Sequence, residues 1–159
     1  MKDENIEMVQ FHQSYSYEDF VQGIRPSEEG GFERRNGIFF DFCSKARRSP
    51  DQQFVFIIDE INRGNISKIL GELMMLIEAD KRKKQYAIKL TYSNEDDERF
   101  FVPENVYLIG CMNTADRSLA IVDYALRRRF RFCPIKPEFN EASSIFWKKK
   151  ASVRRMRNW

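Results

Sequence analysis

The stretch Phe54-Val55-Phe56-Ile57-Ile58-Asp59-Glu60 decides the fold. Five consecutive apolar residues closed by two carboxylates are typical of a strand that is buried on both faces of a parallel sheet. A carboxylate at the carboxyl end of such a strand, here Asp59, can hold Mg²⁺, and the next one, Glu60, can orient water in nucleotide hydrolysis. The alternative is a buried strand that simply reaches solvent through acidic residues, because chance often produces this pattern.

Helical and strand patterns alternate on both sides of this strand. Apolar residues at helical spacing predict a helix from Ile38 that ends before Pro50, and a second helix of about fifteen residues that begins at Ile66. Further strands are predicted at residues 8–11 and 106–111, a loop at 21–37, and a hairpin of residues 87–92 and 99–102 with an acidic tip, Glu95-Asp96-Asp97-Glu98. The alternation predicts an α/β domain built around a parallel sheet.

Two further segments carry groups suited to phosphate chemistry. The strand at 106–111 delivers Asn113 to the carboxyl edge of the sheet, where ligands gather in open α/β folds. Its amide can hydrogen-bond an attacking water and a γ-phosphate oxygen without adding negative charge, although a turn that satisfies local backbone groups explains it as well. The run Arg127-Arg128-Arg129-Phe130-Arg131 can be a solvated face, or it can supply guanidinium groups to a transferring phosphoryl group.

Composition limits the class of protein. The 159 residues suit a single domain, and 42% hydrophobic and 14% aromatic residues supply a core. No apolar run approaches the ~18–20 residues that cross a bilayer, and the N-terminus does not resemble a secretory signal, so we expect a soluble, cytoplasmic chain. Cys43, Cys111 and Cys133 lie far apart and predict neither a zinc site nor a disulfide, so we expect buried, reduced thiols.

Charge is divided unevenly along the chain. Residues 1–126 hold 16 Lys and Arg against 22 Asp and Glu, a balance of −6, whereas residues 127–159 hold 11 against 2, a balance of +9. The two balances add to the net charge of +3. A basic tail on an acidic body can contact nucleic acid or can simply be solvated, and both interpretations stay open.

Taken in order, these segments resemble the McrB family of AAA+ NTPases, the GTP-hydrolysing motor subunits of methylcytosine-dependent restriction systems. The likeness runs from Met8 to Phe139 and rests on four stretches: Phe11-His12-Gln13-Ser14-Tyr15-Ser16-Tyr17-Glu18-Asp19-Phe20, Ile57-Ile58-Asp59-Glu60-Ile61-Asn62-Arg63, Met112-Asn113-Thr114-Ala115-Asp116-Arg117-Ser118 and Asp123-Tyr124-Ala125-Leu126-Arg127-Arg128-Arg129-Phe130.

The resemblance implies a role for seven of these residues. Asp59 and Glu60 look like the magnesium-binding and water-activating carboxylates, and Asn113 looks like the sensor of the γ-phosphate. Asp116 and Arg117 continue the family's signature at the nucleotide site. Arg128 and Arg129 match the arginines that act on the nucleotide of a neighbouring subunit.

The chain departs from the family at both ends. It contains no GxxxxGK[ST], so the loop whose backbone N–H groups would cradle phosphates is missing, together with its strand. The helical lid that should follow the last strand is not recognisable either. We therefore expect a partial AAA+ P-loop-type parallel sheet with flanking helices and a β-hairpin insertion in residues 1–139. Residues 140–159 are expected to form a basic tail that can be disordered.

These observations predict a fragment of a ring-forming NTPase that uses Mg²⁺ with GTP or ATP, held weakly or not at all without the phosphate loop. The expected partners are a homo- or hetero-oligomeric AAA+ ring, an McrC-like nuclease subunit at the acidic hairpin tip, and DNA through the complete system, with no membrane. The alternative is a non-catalytic, truncated interaction protein that joins or competes with a complete ring. The choice between guanine and adenine, and whether this chain is itself an enzyme, stay open.

Overall fold

The computed structural model describes residues 3–113 and 124–135. Its central element is a parallel sheet in the order β1-β4-β5, formed by β1 (Ile6–Gln10), β4 (Phe54–Asp59) and β5 (Val106–Gly110). The register places Met8 beside Ile57, and Ile57 beside Ile109. The predicted α/β class and the parallel sheet are confirmed, with strand bounds within two residues of those expected.

Short helices connect the strands. They are α1 (Tyr17–Phe20), α2 (Ile38–Arg48), α3 (Ile66–Leu70), α4 (Leu73–Leu76) and α5 (Tyr124–Arg127), with single 3-10 turns at Asp3–Asn5, Ile61–Arg63, Ala79–Lys81 and Lys84–Tyr86. The predicted helix after Ile38 is confirmed, and it ends before Pro50 as expected. Within the described residues, no helix has both the length and the apolar character needed to cross a membrane.

One face of the sheet carries the hydrophobic core. Phe54, Phe56 and Ile58 of β4 are buried on this face. α2 packs there through Phe39 and Phe42, whose rings each lie 5.1 Å from the ring of Phe56. Each such side chain stabilises the fold by about 1.5–3 kcal/mol on full burial. The apolar stripe predicted from Ile66 onward also joins this core.

The opposite face of the same strands is open in the described structure. Ile6, Met8, Tyr107 and Ile109 are exposed there, and Ile57 is half-buried between them. The expectation that the central strand is buried on both faces is therefore wrong for the described residues. Alternate side chains of a strand point to opposite faces, and the described helices that contact the sheet join the core on the Phe56 side.

The helix predicted to run for about fifteen residues from Ile66 is divided into α3 and α4. The division lies at Gly71, whose φ of 49° and ψ of −127° suit a residue without a side chain. The apolar residues on both sides of the division remain buried. Periodicity thus identified the core residues correctly but could not locate the break.

The segment predicted as a loop at 21–37 forms a hairpin of β2 (Gln22–Pro26) and β3 (Phe32–Asn36). Its turn contains Gly30 and Gly31, both with positive φ. The glycines predicted irregular structure, but here they close an antiparallel pair. β3 is exposed along its whole length, so it lacked the apolar alternation that identifies a strand.

The hairpin predicted between residues 87 and 102 reduces to one bridge, in which Ile88 and Phe100 exchange backbone hydrogen bonds of 2.9 and 2.7 Å. The next backbone groups have other partners. The N–H of Thr91 donates to Glu72, and the N–H of Leu90 donates to the hydroxyl of Ser93. These contacts use the donors that a longer ladder would need.

The cysteines do not all behave as expected. Cys43 is buried on α2, and burial raises the pKa of its thiol. Cys111 and Cys133 are exposed, so the expectation of three buried thiols is wrong for these two. Cys111 follows directly after β5, at the edge of the sheet, where the core no longer covers the chain.

Candidate functional site

The ends of the three parallel strands are joined by backbone hydrogen bonds. The N–H of Phe11 donates to the carbonyl of Asp59 at 2.9 Å, and the N–H of Cys111 donates to Ile58 at 2.8 Å. The N–H of Ile61 then donates to the carbonyl of Cys111 at 3.0 Å. These bonds fix the loops that leave β1, β4 and β5 against one another, so their side chains share one edge of the sheet.

Asp59 is the last residue of β4 and lies on the open face, opposite the core residue Ile58. Its Oδ2 accepts a hydrogen bond of 3.3 Å from the side-chain amide of Gln10, its register partner on β1. The side chain is half-buried. One carboxylate at a strand end fits Mg²⁺, which usually takes one or two protein carboxylates and completes its shell with water and substrate phosphates.

Glu60 adopts an unusual backbone conformation directly after the strand. Its φ of 50° and ψ of 43° are left-handed, which costs a residue with a side chain about 1–2 kcal/mol. The carboxylate forms an ion pair with Arg63 at 3.2 Å. The carboxylate oxygen of this ion pair is Oε2, which is buried and lies 3.2 Å from Nε of Arg63 but outside hydrogen-bond geometry. Oδ1 of Asn62 is also buried without a hydrogen bond. Strain and unsatisfied acceptors concentrate at functional sites, where a ligand or a water supplies the missing donor.

Asn113 lies three residues beyond the end of β5 and is exposed. Because β4 and β5 are parallel and Ile58 pairs with Gly110, Asn113 leaves the sheet at the same edge as Asp59 and Glu60. The structure thus brings together the edge residues expected from the strand pattern. Asp116 and Arg117 lie outside the described residues.

Arg128 and Arg129 follow α5 and have different surroundings. The side chain of Arg129 is 6% exposed, and its Nη2 lies 2.8 Å from a carboxylate oxygen of Glu78. Its Nε donates to the carbonyl of Met74 at 2.5 Å. The side chain of Arg128 is 61% exposed and lies 3.7 Å from the same Glu78 oxygen. Two arginines that the sequence could not tell apart therefore have different freedom to reach a ligand.

Glu72, which directly precedes α4, organises a polar network with Tyr17 of α1 and Thr91. This network was not predicted from the sequence. The buried Tyr17 donates its hydroxyl to Glu72 Oε1 at 2.7 Å, and the N–H of Thr91 donates to the same atom at 2.9 Å. Burial, and then the bond to Glu72, raise the pKa of Tyr17. No local signal identifies Glu72, because its partners lie far away in the sequence. The sequence does show a Ser-x-x-Asp pattern at Ser16, which forms a capping box at the start of α1, the helix that carries Tyr17. This pattern indicates the helix start and not its contact with Glu72.

The acidic tip of the predicted hairpin is partly neutralised within the chain. Asp97 forms an ion pair with Arg34 of β3, with one contact of 3.1 Å between Nη2 and Oδ1, and this contact holds the pKa of Asp97 below its usual value. Arg34 also donates to the carbonyl of Tyr92 at 3.2 Å. The segment is therefore attached to the β2–β3 hairpin, and its acidity is not wholly available to another protein.

A parallel sheet with acidic residues at the carboxyl end of its central strand, beside an amide-bearing loop, is consistent with an AAA domain. The chain belongs to the AAA domain family of the dynein-related subfamily, which matches residues 1–130. A crystal structure of a proposed ATPase from Cytophaga hutchinsonii shares the fold, with a TM-score of 0.55 and 13% identity over 93% of this chain and 38% of that one.

Within that class, the chain is an McrB-family AAA+ sequence. It is 62% identical over 137 residues to the type IV methyl-directed restriction enzyme EcoKMcrB subunit of Escherichia coli (strain K12), which covers 86% of this chain and 30% of that protein. It is 26% identical over 144 residues to the type II restriction enzyme BsuMI component YdiS of Bacillus subtilis (strain 168), covering 85% of this chain and 41% of the relative. The chain thus spans less than half of either restriction-system relative.

Proposed function

We propose that this chain supplies the water-activating, phosphate-sensing and interface parts of a ring-forming AAA+ NTPase that hydrolyses GTP or ATP with Mg²⁺. The observation that carries the proposal is the edge at the end of β4, where Asp59 and the strained Glu60 lie beside the loop that bears Asn113. Membership of the AAA domain family supports nucleotide hydrolysis, and the likeness to a restriction-enzyme subunit supports the setting in a restriction system.

In this proposal the three edge residues divide the chemistry. Asp59 helps to hold Mg²⁺, which would neutralise the phosphate charge when bound. Glu60 accepts a proton from the attacking water. As it does so, the water oxygen bonds to the γ-phosphorus, and the bond between the γ-phosphorus and the oxygen that bridges to the β-phosphate breaks. Asn113 donates to a γ-phosphate oxygen and orients the water. Oε2 of Glu60, which is ion-paired with Arg63 but accepts no hydrogen bond, is a suitable acceptor for that water.

Asp116 and Arg117 extend the nucleotide site in this proposal, as the family signature suggests. The sequence has no GxxxxGK[ST], so the chain by itself is expected to bind Mg-nucleotide weakly. Carboxylates without a phosphate cradle repel a polyanion. In a homo- or hetero-oligomeric ring, the arginines that follow α5 would act on the nucleotide of a neighbouring subunit.

The proposed setting is a cytoplasmic restriction system with an McrC-like nuclease subunit and with DNA reached through the complete assembly. Arg128 is exposed beyond α5 and is suited to reach the nucleotide of a neighbouring subunit. Arginine fingers are worth about 10³–10⁵ in rate. An arginine at this position can therefore contribute to hydrolysis in a neighbouring subunit.

The test mixes this chain with the E. coli relative whose own matching arginine pair has been replaced by alanine, and measures GTP and ATP hydrolysis. We expect hydrolysis to recover, and to be lost again when the added chain carries Arg128→Ala plus Arg129→Ala. Arg99→Ala, which changes an exposed arginine elsewhere, is the matched control. Demonstrated co-assembly without recovery would favour the alternative, a non-catalytic chain that joins or competes with the ring.

A further inference from the structure

The carboxylate of Glu78 lies between the two arginines that follow α5. Glu78 follows α4 and is half-buried, and its Oε1 lies 2.8 Å from Arg129 and 3.7 Å from Arg128. The turn itself is held by the N–H of Arg129, which donates to the carbonyl of Leu126 at 2.9 Å. Leu126 is buried in the core. Apolar packing and the carboxylate of Glu78 therefore both contribute to the position of this turn.

The two ion pairs differ in strength because their surroundings differ. Arg129 is 6% exposed and also donates to the carbonyl of Met74, so its guanidinium is held on two sides. A charge this buried needs its partner, since water cannot replace it. Arg128 is 61% exposed and lies beyond normal hydrogen-bond distance from Glu78. An exposed pair of this kind is worth little and can dissociate at small cost.

We propose that Glu78 is a positioning residue, which binds Arg129 as an anchor within its own subunit so that Arg128 alone is presented to the neighbouring nucleotide. This inference rests on the proposed function, because it assumes that an arginine acts across the subunit boundary. Arg129 neutralises most of the attraction that Glu78 would otherwise exert on Arg128. Arg128 then exchanges one weak carboxylate contact for the several charges of a polyphosphate.

Glu78 also connects the turn that follows α5 with the proposed nucleotide-binding edge of the same subunit. Glu78 lies at the end of the segment that begins at Glu60 and continues through α3 and α4. This segment packs on the core through Ile69, Leu73 and Leu76, all buried. The carboxylate that positions the arginine is thus carried by the same packed segment that follows the proposed catalytic Glu60.

The experiment uses the mixed assembly described above and compares four variants of this chain at saturating nucleotide: Arg128→Ala, Glu78→Gln, the double variant, and Glu104→Gln as an exposed control. We expect Arg128→Ala to lower kcat by about 10³ with co-assembly unchanged. Glu78→Gln should lower kcat roughly 10-fold with KM unchanged, because one mispositioned interaction in the transition state is lost. In the double variant, Glu78→Gln should add no further loss.

The double variant separates positioning from general structural damage. A structural role would lower kcat by the same factor whether or not Arg128 is present, and that result would overturn the inference. Full activity of Glu78→Gln would also overturn it. Arg129→Lys, which retains the charge, should keep more activity than Arg129→Ala even if the latter folds poorly. Loss of hydrolysis with Arg129→Lys but not with Arg128→Ala would reverse the assignment of the two arginines.

Failure of the proposed function gives a different result. If neither Arg128→Ala nor Arg129→Ala changes hydrolysis in a demonstrated co-assembly, no arginine acts across the boundary. The proposed positioning role of Glu78 is then rejected together with the proposed function. If Arg128→Ala abolishes recovery while Glu78→Gln leaves it intact, the proposed function stands and the inference about Glu78 alone is rejected.

Discussion

The two faces of the β1-β4-β5 sheet differ more than the sequence of β4 suggests. On one face, Phe54, Phe56 and Ile58 lie in a core of stacked and edge-to-face aromatic rings. On the other, apolar side chains of β1 and β5 lie exposed on both sides of the half-buried Ile57 of β4. Asp59 belongs to the open face by its position in the strand.

This difference separates stability from chemistry. The covered face supplies the aromatic and aliphatic core that stabilises the described residues. The open face carries the proposed magnesium ligand and its amide partner, Gln10, in the same layer as an apolar surface. The stabilising core and the proposed magnesium ligand therefore lie on opposite faces of the same strands.

The largest expected effect compares the same substitution on the two faces. Ile58→Ala should lower the free energy of unfolding by about 2–5 kcal/mol, because Ile58 is 1% exposed and its loss leaves a cavity. Ile109→Ala removes a side chain that is 46% exposed on the open face, and should change the free energy of unfolding by less than about 1 kcal/mol. Urea denaturation of both variants measures the difference. Equal losses would show that the open face is covered in solution.

The second prediction concerns the division between α3 and α4 on the covered side. Gly71→Ala should destabilise the fold by about 1–3 kcal/mol, because an alanine in this conformation is strained. Its Cβ would also lie 3.2 Å from the ring of Tyr17. Gly31→Ala is the control, since Gly31 also has positive φ but open space around it. A greater loss at Gly31 in thermal melts would contradict the assigned crowding.

The third prediction tests the strain at the edge where the faces meet. Glu60→Gly should raise the free energy of unfolding by about 0.5 kcal/mol, since relief of the left-handed conformation exceeds the entropy cost of glycine. Glu60→Gln retains the side chain and should bring no such gain. Both should depress hydrolysis in a complete assembly. Destabilisation by Glu60→Gly in urea titrations would mean that the conformation is not strained.

The smallest effect is expected away from both faces, at the ion pair between Asp97 and Arg34. The pKa of Asp97 lies below its ordinary value of 3.8, so the pair stabilises the folded chain above that pH and is lost as pH falls through the lowered value. Proteolysis of residues 93–99 should therefore accelerate in strongly acidic solution. Asp97→Asn should show the faster cleavage at neutral pH and no acid dependence at this site. An unchanged cleavage rate would mean that the pair does not hold the segment.

The elements that followed from the sequence are those determined by nearest neighbours. Continuous apolar runs predicted β4 and β5, and the ends of these runs located Asp59 and Glu60 at one edge of the sheet. Helical spacing predicted α2 and the buried residues of α3 and α4. In each case the pattern and the packing depend on the same few consecutive residues.

The features that the sequence could not show depend on distant partners. Arg128 and Arg129 are chemically identical neighbours, and they are distinguished by Glu78 and the carbonyl of Met74, some fifty positions earlier. The two-sided burial expected of β4 failed because a strand does not reveal which of its faces is covered. The chemical roles of all seven site residues remain predictions: Asp59, Glu60, Asn113, Asp116, Arg117, Arg128 and Arg129.

The parallel pairing of the strands also has a kinetic consequence. β1 pairs with β4 through Ile6 and Val55, and β4 pairs with β5 through Phe54 and Val106, so each ladder joins residues about fifty positions apart. The chain between two paired strands must close into a loop before the new contacts can compensate for the lost chain entropy. Proteins dominated by such long-range pairing therefore fold slowly. During synthesis, β1 therefore leaves the ribosome long before its partner exists. The β2–β3 hairpin and α2 can form in that interval, and the sheet can form only after them.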